Sequence, residues 1–162
     1  MYTGYFDNCS KYKGLGLVPV SIAIRTPPYI LDLRYPKLAP TPELFFEWKY
    51  GNHRGDNAYY TKRFTEEVLG KFKDPAEALN ELCQMAGASH DRIILLCYEK
   101  PGQFCHRHLV ANWIGKSFCE EINLEKYNGR TNKAPLARLC KWLCPPKVLL
   151  GRSSGLKLSI TA

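Results

Sequence analysis

The fold is decided by residues 92–114, Arg92-Ile93-Ile94-Leu95-Leu96-Cys97-Tyr98-Glu99-Lys100-Pro101-Gly102-Gln103-Phe104-Cys105-His106-Arg107-His108-Leu109-Val110-Ala111-Asn112-Trp113-Ile114. Residues 93–98 form a short apolar run without polar alternation, the pattern of a strand buried on both faces of a parallel sheet. Glu99, Lys100, Pro101 and Gly102 interrupt it with a turn. From Cys105 onward, Leu109, Val110, Trp113 and Ile114 recur at helical spacing. The stretch therefore reads as strand, loop and helix, with Cys97, Glu99, Cys105, His106 and Arg107 gathered at the junction. Ligands of open α/β sheets sit beyond the carboxyl ends of the strands, so chemistry is expected here.

The residue types suit that place. The first turn of a helix offers unpaired N–H groups and partial positive charge, which stabilise an anion. A thiol there is biased toward thiolate, and Arg107 or protonated His106 would add to the bias. Glu99 can exchange a proton or orient Arg107 through a paired hydrogen bond.

Working outward, residues 1–6 read as a first strand, followed by a loop with Asp7, Asn8, Ser10, Gly14 and Gly16. The glycines match no phosphate-binding fingerprint and are read as turn residues. Residues 17–24 are apolar and β-branched, with Pro19 near the start of a second strand. Arg25 falls at its end and Thr26-Pro27-Pro28 stops it. In a parallel sheet Arg25 would share an edge with Tyr5 and Glu99, making it a second candidate for an anion contact. Residues 29–40 read as an irregular linker.

Thr41 caps a helix opened by Pro42, with Leu44, Phe45 and Trp48 on its apolar face. Residues 57–72 read as helical, with Tyr60, Phe64 and Leu69 inward. Asp74 and Pro75 open another helix whose buried stripe is Leu79, Leu82, Cys83 and Ala86, ended by Gly87. Residues 118–124 are a further strand candidate, and a boundary is expected near residue 125. Beyond it, Leu136, Leu139, Cys140 and Leu143 line a short helix that Pro145-Pro146 ends.

The run Leu95-Leu96-Cys97-Tyr98-Glu99-Lys100-Pro101 followed by Cys105-His106-Arg107 resembles the hallmark of domain-of-unknown-function family 488, a bacterial and phage family. Tyr2-Thr3-Gly4-Tyr5, the strand ending at Arg25 and Leu38-Ala39-Pro40-Thr41 extend the resemblance over roughly residues 1 to 120. It implies a compact Rossmann-like α/β domain more firmly than any activity. Many members carry an Asp before the Arg that ends the second strand; Ala23-Ile24-Arg25 lacks it.

At 162 residues the chain is long enough for one domain with a real core. No apolar run reaches the length of a membrane span, and the first residues lack signal-peptide character. A cytosolic protein is expected, its seven irregularly spaced cysteines reduced. The net charge of +8 is segregated. Residues 126–162 hold Lys126, Arg130, Lys133, Arg138, Lys141, Lys147, Arg152 and Lys157 with no Asp or Glu, and residues 1–125 are neutral. Such segregation points to an anionic partner such as nucleic acid, or to a solvated basic extension.

Three chemistries fit the junction. In the first, Cys105 is a nucleophile, His106 a base or substrate contact and Glu99 the acid/base partner, with Arg107 and Arg25 holding an anion. Neighbouring helical side chains diverge by about 100°, so Cys105 and His106 need not touch. In the second, Cys97, Cys105 and His106 bind zinc, with Cys9, His108 or Cys119 as a fourth ligand. The spacing matches no standard zinc module, so no metal or other cofactor is expected. In the third, Glu99 stabilises a cationic centre or activates water on a nucleotide. The competing class is a non-enzymatic binding module. Together these readings predict a small Rossmann-like α/β domain with a mostly parallel sheet over residues 1–125 and a basic extension over 126–162. The expected site is Cys105, Glu99 and His106 for catalysis and Arg107, Arg25, Tyr5 and Cys97 for a nucleotide or nucleic-acid substrate.

Overall fold

The computed structural model describes residues 1–30, 33–115, 120–122 and 124. Elements follow in the order β1 (Tyr2–Tyr5), α1 (Cys9–Gly14), β2 (Val18–Ser21), β3 (Leu33–Arg34), α2 (Pro42–Tyr50), α3 (Asn57–Glu67), α4 (Pro75–Ala86), β4 (Ile93–Cys97), α5 (His106–Ile114) and β5 (Glu120–Glu121). The five strands form one sheet in the order β3-β2-β4-β1-β5. All its pairings are parallel. This is the expected α/β fold. The basic extension, with its predicted helix and its cysteines, lies outside the described residues.

β4 is central because both its faces are covered. Ile93 and Leu95 point into a core with Leu44, Tyr60, Phe64, Leu82, Val110 and Ile114, from α2, α3, α4 and α5. Ile94 and Leu96 point the other way, onto Phe6, Cys9, Tyr12 and Leu17. The two-residue period of a strand divides the run between two layers of helix. All four side chains are fully buried, each contributing about 1.5–3 kcal/mol.

Helix starts follow the local chemistry. Thr41 Oγ1 accepts from the Leu44 N–H at 3.2 Å, Asp56 Oδ1 from Tyr59 at 2.9 Å, and Asp74 Oδ1 from Glu77 at 3.0 Å. Gly87 ends α4 in the left-handed region at φ 59°, where only glycine is unstrained.

Four expectations need correction. Residues 7–16 are mostly helical: a 3-10 turn at Phe6–Asn8 leads into α1, which buries Cys9 and Tyr12. A helix of little more than one turn has too few positions to display periodicity. The 29–40 linker contains β3, whose Leu33 and Arg34 are both exposed, and a 3-10 turn at Pro36–Leu38. An exposed edge strand held by backbone bonds leaves no hydrophobic pattern. The 57–72 helix breaks at Val68, and a 3-10 turn follows at Leu69–Lys71. The second strand also ends at Ser21, so Arg25 lies beyond it on an exposed loop. Among the described residues, no helix is long and apolar enough to cross a membrane.

Candidate active site

β1 and β4 are neighbours running the same way, with Tyr5 in register with Cys97. Yet α1, which follows β1, packs on one face of the sheet, and α5, which follows β4, packs on the other. Where consecutive helices part in this way, a crevice opens beyond the strand ends. Cys97, Glu99, Cys105 and His106 converge at these strand ends.

Cys97 ends β4 and Cys105 immediately precedes α5, so the loop between them folds back on itself. Both thiols meet one carboxylate oxygen: Cys97 Sγ donates to Glu99 Oε2 at 3.1 Å and Cys105 Sγ at 3.0 Å. His106 Nδ1 lies 3.9 Å from Cys97 Sγ and 4.0 Å from Cys105 Sγ. On the far side of the ring, Nε2–H donates to the Ile22 carbonyl at 2.9 Å. A carbonyl only accepts, so Nε2 carries a proton and Nδ1 is the ring nitrogen that faces the sulfurs. Cys97, Cys105 and His106 are buried, while Glu99 is half-exposed at the mouth. Adjacent helical residues diverge, but Cys105 is still extended (φ −157°), and that turns its sulfur toward His106.

Electrostatics follow from this crowding. Cys105 is drawn toward thiolate by its polar neighbours, Cys97 first, then His106 and Glu99, against burial. Cys97 is pushed up, chiefly by its closeness to Cys105, with burial behind. Burial, then the Cys105 charge, raises Glu99 above its ordinary range. Tyr60 is raised by burial and then by the same cluster. Its ring meets Phe104 edge-on at 5.4 Å, and Phe64 lies 5.5 Å from the His106 ring, so one wall is aromatic.

Arg107 has a different post from the one expected. It is fully buried. Nη1 donates to the Glu99 carbonyl at 2.5 Å, while Nη2 donates to the Lys100 carbonyl at 3.3 Å and to Glu121 Oε1 at 3.0 Å. Its two terminal nitrogens thus tie the loop and Glu121 together, while its buried Nε has no hydrogen-bond partner among the described residues. His108, considered as a metal ligand, faces Glu121 at 3.5 Å. Cys9 is buried in the α1 layer, and Cys119 lies outside the described residues. None of Cys9, Cys83, Cys97 and Cys105 is joined in a disulfide.

Sequence reasoning missed Tyr98. It is exposed, packs edge-on against Phe6 at 4.9 Å, and lies within electrostatic reach of Tyr29, Arg25, Cys97 and Glu99. Its position between Cys97 and Glu99 was the available signal. It was read as the last residue of a buried strand, but β4 stops one residue sooner. The Ile22 carbonyl, being backbone, gave no signal at all.

The arrangement defines an α/β protein with a buried dithiol, a carboxylate and an imidazole at the switch point of a parallel sheet. A family model described as "Active DUF488-N3 subclade" matches residues 18–117, and the chain belongs to the DUF488 family. No curated protein and no solved structure matches it.

Proposed function

We propose that the protein is an enzyme acting on an anionic nucleotide or nucleic-acid substrate at the Cys97–Glu99–Cys105–His106 centre, with Glu99 moving the proton. The observation that carries this reading is the meeting of both thiols on one half-exposed carboxylate oxygen, in front of an imidazole whose Nδ1 faces the sulfurs. Structural carboxylates do not ordinarily gather two thiols; a group that must exchange protons with a bound reactant needs this kind of enclosed polar setting. The subclade's description as active agrees with it.

The substrate class rests on the rim. Tyr98 and Tyr29 are exposed aromatics beside the crevice, with Arg25 exposed near them. Aromatic faces stack on bases and a guanidinium pairs with phosphate. The test is a turnover and binding screen over mono- and dinucleotides and short single strands. Glu99→Gln is expected to lose about 10²–10⁴-fold in turnover with binding retained. Tyr98→Ala and Arg25→Ala are expected to weaken binding, with stacking worth about 1–3 kcal/mol per base. Binding and turnover untouched in all three variants would reject the reading.

A further inference from the structure

We propose that Cys97, Cys105 and His106 form a binding site for one thiophilic divalent metal ion, zinc in the first instance, with an open fourth position occupied by water and with Glu99 beside that water. The proposal rests on the reading of this centre as an active site and supplies its reagent. The three ligand atoms lie within 4.8 Å of one another. An ideal tetrahedral zinc with its usual bond lengths holds sulfur and nitrogen about 3.6 Å apart. The observed 3.9 and 4.0 Å are a few tenths longer, and the two sulfurs lie within 4.8 Å of each other, so the three atoms need only draw together to hold one ion.

Two further features point the same way. A metal-binding imidazole presents one nitrogen to the ion and donates its other N–H to a fixed acceptor, and His106 does this with the Ile22 carbonyl at 2.9 Å. Two sulfurs and an imidazole are the donor set that selects zinc over the hard oxygen-seeking ions. The Cys-x7-Cys-His spacing resembles no compact zinc module. The ligands come instead from a strand end and a helix start, with the loop at residues 98–104 folded between them and pinned by Arg107.

With three protein ligands the fourth position stays free, as in catalytic rather than structural sites. Glu99 Oε2 sits 3.1 and 3.0 Å from the two sulfurs, at the exposed side of the cluster. Ligation would release the two thiol protons, and Glu99 would then be placed to take one proton from a water at the open position. The water oxygen would bond to the electrophilic atom of the nucleotide as the bond from that atom to its leaving group breaks, and the leaving group would take the proton from Glu99. One water is consumed, the reaction is a hydrolysis, and no oxidant or reductant is involved.

The test uses the full chain without a histidine tag, purified from zinc-supplemented medium and dialysed against metal-free buffer. Elemental analysis should give one zinc per chain. Replacement by cobalt should give sulfur-to-cobalt charge-transfer absorption and the intense visible bands of a tetrahedral site, a readout that needs no variant. Cys97→Ser, Cys105→Ser and His106→Ala should each weaken binding by more than the roughly 10–100-fold that loss of an outer partner costs. Glu99→Gln should keep the metal and the spectrum. A chain without zinc or cobalt affinity, with both thiols freely alkylated or joined as a disulfide, overturns the metal site. Chelator-insensitive, Glu99-dependent turnover in that chain would leave the enzyme reading standing. Stoichiometric zinc without nucleotide turnover would uphold the site and count against the enzyme reading.

Discussion

Arg107 grips Glu99 by its main chain and leaves the side chain free. Its Nη1 donates to the Glu99 carbonyl at 2.5 Å, whereas the Glu99 carboxylate faces the two thiols. One buried cation thereby aims a carboxylate it does not neutralise. Arg107→Met would leave two loop carbonyls and Glu121 without their donor. The expected loss is about 3 kcal/mol, read as a lower urea midpoint. Cys97 and Cys105 should also alkylate faster as the loop loosens. Arg107→Lys should recover little, since an ammonium cannot reproduce the planar fork.

The layer behind the site is equally tight. Tyr12 lies flat against Gly4 in the middle of β1, and a Cβ at Gly4 would fall 2.8 Å from Tyr12 Cε2, Cζ and Oη. The ring is buried and cannot swing away. Gly4→Ala should therefore destabilise the fold by about 1–3 kcal/mol. Tyr12→Phe keeps the colliding carbons and should not relieve it. In the double variant Gly4→Ala/Tyr12→Leu the two costs should be less than additive, as expected of side chains in direct contact. Chemical denaturation of the four proteins measures this.

A pH effect arises far from the site. Tyr35 Oη donates to Glu81 Oε2 at 2.6 Å, and Lys37 Nζ lies 2.8 Å from both carboxylate oxygens, tying the segment after β3 to α4. Lys37 first, then the Tyr35 hydroxyl, hold Glu81 below its ordinary value of 4.5. A carboxyl lowered in the folded state stabilises above its unfolded value, and that contribution fades as pH falls through the folded one. Glu81→Gln should lower the melting temperature near neutrality. It should also flatten the acid side of the Tm profile, so that mutant and wild type converge as pH falls through the folded-state value of Glu81. Parallel profiles would refute the linkage.

What was legible in the sequence follows from what each signal encodes. The run at residues 93–98 reads as a doubly covered strand because both faces have to be apolar, and β4 fills all of it but Tyr98; Thr41 and Asp74 stand at helix starts where a short oxygen acceptor is needed. The convergence of Cys97, Glu99, Cys105 and His106 was readable because they flank one strand-to-helix turn. Sequence places the Arg107 guanidinium near the loop without telling that it reaches the loop's own carbonyls. Tyr98 and the Ile22 carbonyl escaped for the opposite reason. One looks like strand and the other has no side-chain identity, yet both take their roles from where the chain turns.

The segregated charge carries its own prediction, and it tests the binding-module reading. Residues 126–162 hold eight cations and no Asp or Glu. If all eight engaged duplex phosphates, log affinity would fall against log salt with a slope of about −7, at roughly 0.9 per phosphate. Removing residues 126–162 should then abolish most of the salt dependence and most of the affinity for DNA or RNA. Arg25→Ala in the intact chain should move the slope by no more than about one unit. Fluorescence anisotropy across a salt series measures both. A truncated chain that keeps the full slope would assign nucleic-acid contact to the neutral body, and the crevice between β1 and β4 would be where to look for it.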